Sequence, residues 1–342
     1  MDKNRSLRFF LEERRTIVKQ WRGIVMLIVF SLFVLGCTPE KEQVEEKPMS
    51  LQAVQEKEQV QEVFGWKDTY SLIYTIGEKE QQVKVANLKE GTTKVIARFP
   101  GWIQFIDYHP KAQRYTIQWT KESGENYIDV INTDGELVEW LPFEGDMFDI
   151  QWHPSTPSLW LVTSFNEAWE ADVYLYNSEE KYGTYLDDVA PFAFWYVDEI
   201  TYFNEGRLTV GETSKKIVDE QIEPVQFYPL KDRLLGVFYE EKKLLFYWWD
   251  EQLEKKNEWE AAVAFDEWSV SPPVVRETKE EVEIFFATSE EVFYQYTIDK
   301  GTDELKVEEV QKLPYDCNES YCLQSDQRTI DPFNMRWIKE EE

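Results

Sequence analysis

The strongest constraint on this chain is a short anchor that returns at a nearly fixed interval. Phe105-Ile-Asp-Tyr-His-Pro110 is echoed by Phe148-Asp-Ile-Gln-Trp-His-Pro154, and the two prolines stand 44 residues apart. Val225-Gln-Phe-Tyr-Pro229 and Trp268-Ser-Val-Ser-Pro272 repeat the pattern with prolines 43 apart. Ala193-Phe-Trp-Tyr-Val-Asp198 fills the gap between these pairs in a shorter unit, and Val63-Phe-Gly-Trp-Lys-Asp68 opens the series. A fixed period of this size marks a supersecondary unit that buries its faces only against copies of itself.

Each anchor is followed by the same series. A polar turn leads to a first β-rich run: Leu72–Thr75, Tyr115–Trp119, Leu159–Val162, Ile200–Phe203, Leu234–Tyr239 and Ile284–Ala287. A second run follows: Val83–Ala86, Tyr127–Ile131, Val173–Tyr176, Leu208–Val210, Leu244–Tyr247 and Val292–Tyr296. A weaker third run closes most units, as in Thr93–Ala97 and Leu137–Trp140. Short aromatic and β-branched runs bounded by polar turns are strand signals. Four strands every forty or so residues is the period of a propeller blade. The expected fold is therefore all-β, a six-bladed β-propeller of four-stranded antiparallel blades. Seven blades would need a longer chain at this period. A double β-sandwich, the nearest alternative, would show strands without a repeated anchor.

The repeat is preceded by an address. Lys3, Arg5, Arg8, Arg14, Arg15, Lys19 and Arg22 lead into an apolar run from Gly23 to Gly36. That run is shorter than the roughly 20 residues a membrane span needs. A basic stretch before a short apolar core is a secretory signal. It stops at Val34-Leu35-Gly36-Cys37, which resembles a lipobox, so the Cys37 thiol is expected to accept a diacylglycerol. Two acyl chains suffice for stable anchoring where one does not. Residues 38–61 are rich in Glu, Gln and Lys and nearly free of aromatics, a composition that cannot bury enough apolar surface to fold alone. The expected organisation is a lipoprotein signal peptide over 1–36, a lipid-anchored flexible acidic tether over 37–62, and the propeller over 63–342.

The whole chain carries a net charge of −29, and the basic signal segment means the remainder is more acidic still. Such a balance excludes nucleic acid, whose affinity comes from Lys and Arg on phosphates. With 14 Trp, 18 Tyr and 21 Phe, the charge marks a solvated face and not disorder. Cys317 and Cys322 lie in an exported region, where an oxidising compartment favours a local disulfide. The pair is expected to staple a surface loop.

The anchor followed by two apolar strands is similar to the repeat of TolB-type propellers. Together with the lipobox, the Glu-rich tether and the Phe-Gly-Trp66 opening, it makes the chain resemble the YqgU-like six-bladed propeller lipoproteins of Gram-positive bacteria. That resemblance implies a fold and a location. The family has no assigned activity and supplies no catalytic residue.

The search for chemistry is brief. Gly-x-Ser-x-Gly, a phosphate loop and His-Glu-x-x-His are all absent. His109 and His153, the only histidines, occupy equivalent places where one strand turns into the next. A repeated position implies a structural task. One cluster stands out in the segments that lead into the first strands: Trp102, Asp146, Asp188, Glu223, Asp266 and Glu267, beside Phe192 and Trp268. In a propeller these segments converge on the mouth of the central channel, where carboxylates with aromatic walls suit Ca²⁺ or a cationic ligand. No metal ligand set can be assigned.

The leading expectation is a non-catalytic binding module, for a protein or a ligand, held to the outer leaflet of the cell membrane. A hydrolase or lactonase using a channel metal, and a structural envelope protein, are the other two readings. The expected partners are the membrane, through the lipid, and a protein of the cell envelope.

Overall fold

The computed structural model describes residues 51–324, apart from 53, 55, 57, 219–221, 251, 263–271, 290–291 and 312. The signal segment and Cys37 lie outside the described residues, as does the tether up to residue 50.

Six four-stranded antiparallel sheets follow one another along the chain, each a simple meander. Blade 1 holds β1 (Val60–Asp68), β2 (Ser71–Ile76), β3 (Gln81–Asn87) and β4 (Thr92–Phe99). Blade 2 holds β5 (Gly101–His109), β6 (Arg114–Lys121), β7 (Asn126–Asn132) and β8 (Leu137–Trp140). Blade 3 holds β9 (Met147–Trp152), β10 (Leu159–Phe165), β11 (Ala171–Asn177) and β12 (Tyr182–Tyr185). Blade 4, the shortest, holds β13 (Phe194–Tyr196), β14 (Glu199–Asn204), β15 (Arg207–Val210) and β16 (Thr213–Lys216). Blade 5 holds β17 (Glu223–Pro229), β18 (Arg233–Glu240), β19 (Lys243–Asp250) and β20 (Lys255–Ala262). Blade 6 holds β21 (Val274–Glu277), β22 (Glu281–Ser289), β23 (Val292–Asp299) and β24 (Leu305–Val310). A two-stranded hairpin, β25 (Pro314–Cys317) and β26 (Cys322–Gln324), completes the described chain. No helix occurs among the described residues.

Burial explains the pattern read from the sequence. The second strand of a blade is covered on both faces by its neighbours, so it reads as a continuous apolar run: all six residues of β2 are buried. The fourth strand is an outer edge and is largely exposed, as in β8 and β12. Blade-to-blade contacts are apolar at their centres. Ile73, Val83 and Val85 of blade 1 pack with Ile103, Tyr115 and Ile117 of blade 2. Leu235, Phe246 and Trp248 of blade 5 pack with Val282, Ile284 and Phe286 of blade 6. Burying each such side chain contributes about 1.5–3 kcal/mol.

The join between blade 6 and blade 1 is built differently. Each sheet is complete without a strand from elsewhere, and the hairpin lies with β25 against both β21 and β1. Leu323 enters the apolar cluster of Val54, Val60, Val63 and Leu72. Asp316 Oδ2 accepts the Trp66 N–H at 3.3 Å, and Asn318 Nδ2 donates to the Thr69 carbonyl at 3.3 Å. Tyr321 stacks 6.2 Å from Trp66. Gly65, at φ +122°, is required here, because a Cβ at that position would stand 2.6 Å from Asp316 Oδ2. The Phe-Gly-Trp opening is thus the seat of the hairpin.

Three sequence expectations change. Cys317 and Cys322 are bonded, but across directly paired positions of β25 and β26 with Cys322 buried, so they brace the hairpin that closes the ring and not a surface loop. The packed domain begins before residue 63: Val54 and Glu56 are buried on blade 1, and Gln52 N donates to the Leu88 carbonyl at 2.7 Å. The anchor at Pro272 is not the equivalent of Pro229. Pro229 pairs with Leu234 across a turn, and in blade 6 the pair across the matching turn is Glu277 with Val282. Pro272 instead precedes β21, and residues 268–271 lie outside the described residues.

Candidate functional site

All six innermost strands run in one direction, so the segments that lead into them share one face of the ring with the loops joining second to third strands. On that face a cavity of about 460 Å³ opens among the innermost strands of blades 2 to 5. Six phenylalanines line it: Phe105 on β5, Phe148 on β9, Phe194 on β13, Phe203 on β14, Phe227 on β17, and Phe192 just before β13. Phe194 and Phe227 stack at 5.4 Å, and Phe203 lies 5.8 Å from Phe227. The apolar wall continues outward, since Phe165 is 5.0 Å from Phe192 and 6.1 Å from Trp169.

Two of these aromatics stand out. Phe192 is 60% and Trp169 70% exposed. Both hold positive φ, 59° and 61°, a conformation that bulky side chains rarely adopt. Strain of this kind costs roughly 1–3 kcal/mol per residue and concentrates at functional sites.

Asp149 and Gln151 of β9 supply much of the cavity's polarity, with Gln226 of β17. Gln151 Nε2 donates to Asp149 Oδ2 at 3.0 Å and to the Ala193 carbonyl at 3.1 Å. Burial pushes the Asp149 carboxyl above its ordinary range, and the Gln151 amide pulls partly against it. Asp107 on β5 is pushed up by burial too, although it accepts the Tyr108 N–H, and Glu62 on β1 is raised for the same reason. These three acids lie directly across the ladder from Thr75, Thr116 and Thr163: Glu62 from Thr75, Asp107 from Thr116, Asp149 from Thr163. The three threonine hydroxyls are buried without a protein partner. Blades 1 to 3 therefore each carry one acid and one unsatisfied hydroxyl on the same face of the sheet. Buried groups in this state lower stability and are where ligand or water is ordinarily held.

Of the sequence-derived set, Trp102, Asp146 and Asp188 are not among the residues that line the cavity. Trp102, second in β5, is 49% exposed. Asp146 is exposed just before β9, fixed by its backbone N–H on the Phe165 carbonyl at 2.8 Å. Asp188 is exposed in the segment between β12 and β13. Glu223 is the first residue of β17. Asp266 and Glu267 lie outside the described residues, as does Trp268. Of the aromatic neighbours named with them, Phe192 lines the cavity. The remaining lining residues lie deeper on the same strands; Phe148 and Asp149 were visible in the repeated anchor but were read only as its strand. Among the described residues no group of three or more His, Cys, Asp or Glu is placed to hold a metal ion.

The histidines belong to the opposite face. His109 Nδ1 accepts the Ala112 N–H at 2.9 Å, which leaves the proton on Nε2 for the His153 carbonyl at 3.3 Å. His153 Nδ1 accepts from the backbone of Ser155 and Thr156 at 3.2 and 3.1 Å. Each ring closes its own turn, and His109 ties blade 2 to blade 3. Burial holds the His109 pKa below its ordinary value.

A YqgU-like six-bladed β-propeller domain is matched over residues 87–207, which covers blades 2 and 3 and the flanks of their neighbours. An uncharacterized lipoprotein, YqgU of Bacillus subtilis strain 168, is 25% identical over 146 residues, spanning 42% of this chain and 41% of that protein. Among solved structures, the uncharacterized protein lmo1340 of Listeria monocytogenes EGD-e superposes with a TM-score of 0.68 at 15% identity, over 82% of this chain and 93% of that one. The propeller domain of the Trilobed protease of Pyrococcus furiosus, described as having an open velcro topology, gives 0.52 at 14% identity, over 78% and 90%. A prolyl endopeptidase gives 0.58 at 10% identity, over 75% of this chain and 42% of that one. At these identities the structures speak to fold alone. This chain is an all-β propeller whose residues 87–207 match the YqgU-like six-bladed domain, and it is similar over 146 residues to that Bacillus lipoprotein.

Proposed function

We propose that this protein is a non-catalytic binding module, anchored through lipid on Cys37 to the outer face of the cell membrane, whose ligand enters the channel cavity. The observation that carries the reading is the wall of six phenylalanines, among them the exposed Phe192, continued by the exposed Trp169, both of these in left-handed conformation. Aromatic side chains supply much of the energy at binding surfaces. Asp149 on the cavity wall favours an occupant with an apolar body and a donor or positive charge at one end. The acids Asp146 and Asp188 nearby make Ca²⁺ or a polyamine a second occupant of the same mouth.

A photo-crosslinking residue in place of Phe192 in the anchored protein tests the reading. One reproducible adduct is expected, absent when the same residue replaces the exposed Lys306 on β24. Equal labelling from both positions would defeat it. Calorimetry of the full chain with Ca²⁺ and with spermidine tests the second occupant, and silence at millimolar ligand removes it. Cys37→Ala should abolish labelling by radioactive palmitate; surviving label would show that the anchor lies elsewhere.

A further inference from the structure

The outer edges of the blades differ in a way the channel does not explain. An unpaired edge strand invites pairing with another chain, and proteins blunt such edges with charge, above all lysine. Four edges here follow that rule: β4 carries Lys94 and Arg98, β16 Lys215 and Lys216, β20 Lys255 and Lys256, and β24 Lys306. The edges of blades 2 and 3 do not. β8 reads Leu-Val-Glu-Trp and β12 reads Tyr-Gly-Thr-Tyr. Leu137, Val138 and Trp140 are 60%, 43% and 62% exposed, and Tyr182 is 63% exposed. The one charge on β8, Glu139, is occupied by the Tyr176 hydroxyl at 2.8 Å.

Between these two edges lies a cleft of about 940 Å³. Its walls are Val138 and Trp140 of β8, the turn Ser155–Ser158 of blade 3, and the turn that carries Glu179 and Lys181. These are turns from first to second and from third to fourth strands, so the cleft opens on the face opposite the channel mouth. His153 shapes the first of them through its bonds to Ser155 and Thr156. Arg114 is half-buried in the cleft, and Lys181 stands at its margin. Among the described residues neither meets a carboxylate within ion-pair distance, although Glu139 and Glu179 also line the cleft and the chain has 66 acidic residues against 37 basic ones. A half-buried guanidinium left unpaired amid that excess of acid is matched to an anion from outside.

We propose that an extended acidic segment of a partner polypeptide docks in this cleft, adding a strand to the free edge of β8. Strand addition draws affinity from main-chain hydrogen bonds and selectivity from side-chain pockets. An acidic side chain meets Arg114 and Lys181, and an apolar one lies on Trp140. A free strand edge offers alternating backbone donors and acceptors, which suit a polypeptide and not a glycan. This surface is independent of the channel and lies on the other face, so either can fail without the other.

A display library of random dodecapeptides, panned against the full-length protein in detergent micelles, tests the proposal, followed by fluorescence anisotropy of the enriched peptides. The expected result is enrichment of sequences that place Asp or Glu beside an apolar residue. Their affinity should fall by roughly tenfold or more in Arg114→Glu and in Trp140→Ala. Lys181→Glu, an exposed turn position that leaves folding intact, should weaken them in the same direction. N-methylation of alternate peptide backbone nitrogens should abolish binding. The proposal is overturned if nothing is enriched over bare micelles. It is equally overturned if the peptides bind the variants or their N-methylated forms as well as the parent, or if sedimentation shows that a second copy of the chain already covers Trp140.

Discussion

The contact between blades 5 and 6 and the seam between blade 6 and blade 1 perform the same task by different means. The first is a cluster of Leu, Val, Phe and Trp, edged by polar ties in which Arg233 pairs with Asp303 and donates to the Lys300 carbonyl at 2.9 Å. At the seam, among the described residues, the shared apolar cluster is smaller on one side: Leu323 of the hairpin enters the cluster of blade 1. Asn318 Nδ2 of the hairpin donates to the Thr69 carbonyl of blade 1 at 3.3 Å. Asp316 receives a backbone N–H from blade 1. Glu56, on the strap that runs over blade 1, takes the Lys84 ammonium and the Tyr74 hydroxyl. Ordinary blade contacts form between neighbours in sequence, whereas the seam joins positions 250 residues apart. Successive blades are brought together by the chain itself, whereas at the seam a separate, disulfide-braced hairpin identifies the edge to close upon.

The comparison can be broken at four points. The largest effect should come from the apolar interface: Trp248→Ala removes a fully buried ring and should cost roughly 3–5 kcal/mol, read from the midpoint of chemical denaturation. A loss under about 1 kcal/mol would mean that the cluster relaxes around the gap. Glu56→Ala should come next, at about 3 kcal/mol, because it strands the Lys84 ammonium in a buried site. Converting both partners together to apolar residues should recover much of that loss; no recovery would show that the strap depends on the ion pair itself.

Removing the brace with the double substitution Cys317→Ser and Cys322→Ser should cost about 2 kcal/mol, given so short a loop. Hydrogen exchange should then quicken in β25, β26 and β1 while β18 and β22 stay protected. Uniform quickening would contradict a localised seam. The smallest effect should be a gain. Asp149 holds its proton more tightly in the folded state than in the unfolded chain, so its favourable contribution is present below the unfolded carboxyl pKa of about 3.9 and is lost as pH rises through the folded value. Asp149→Asn should therefore raise Tm at pH 7, and the gain should fade as pH is lowered toward 4. A loss of stability at pH 7 would make the carboxylate a structural group and not one kept for a ligand.

Much of the ring was legible before any coordinates. Tyr115–Trp119, Leu234–Tyr239 and the other first runs lie inside second strands because two-sided burial leaves a continuous apolar signal. The anchors ending at His109 and His153 mark the ends of first strands because their imidazoles close the turn that follows. Blade 6 was placed less well: Pro272 repeats the spacing without repeating the turn, and only the pairing of Glu277 with Val282 reveals the true register. The site was legible at one remove. Sequence position brought Trp102, Asp146 and Asp188 to the correct face, but the cavity belongs to residues deeper on the same strands, whose exposure depends on what the neighbouring blades leave uncovered.

Strand positions, blade count and the acidic character of this protein follow from the sequence by itself, because alternation, turn residues and charge are local and survive without neighbours. The closing hairpin, the need for a glycine at position 65, the phenylalanine-lined channel and the cleft around Arg114 were decided by tertiary structure alone. Each depends on side chains from separate blades meeting across the ring, and no stretch of sequence encodes the distance between them.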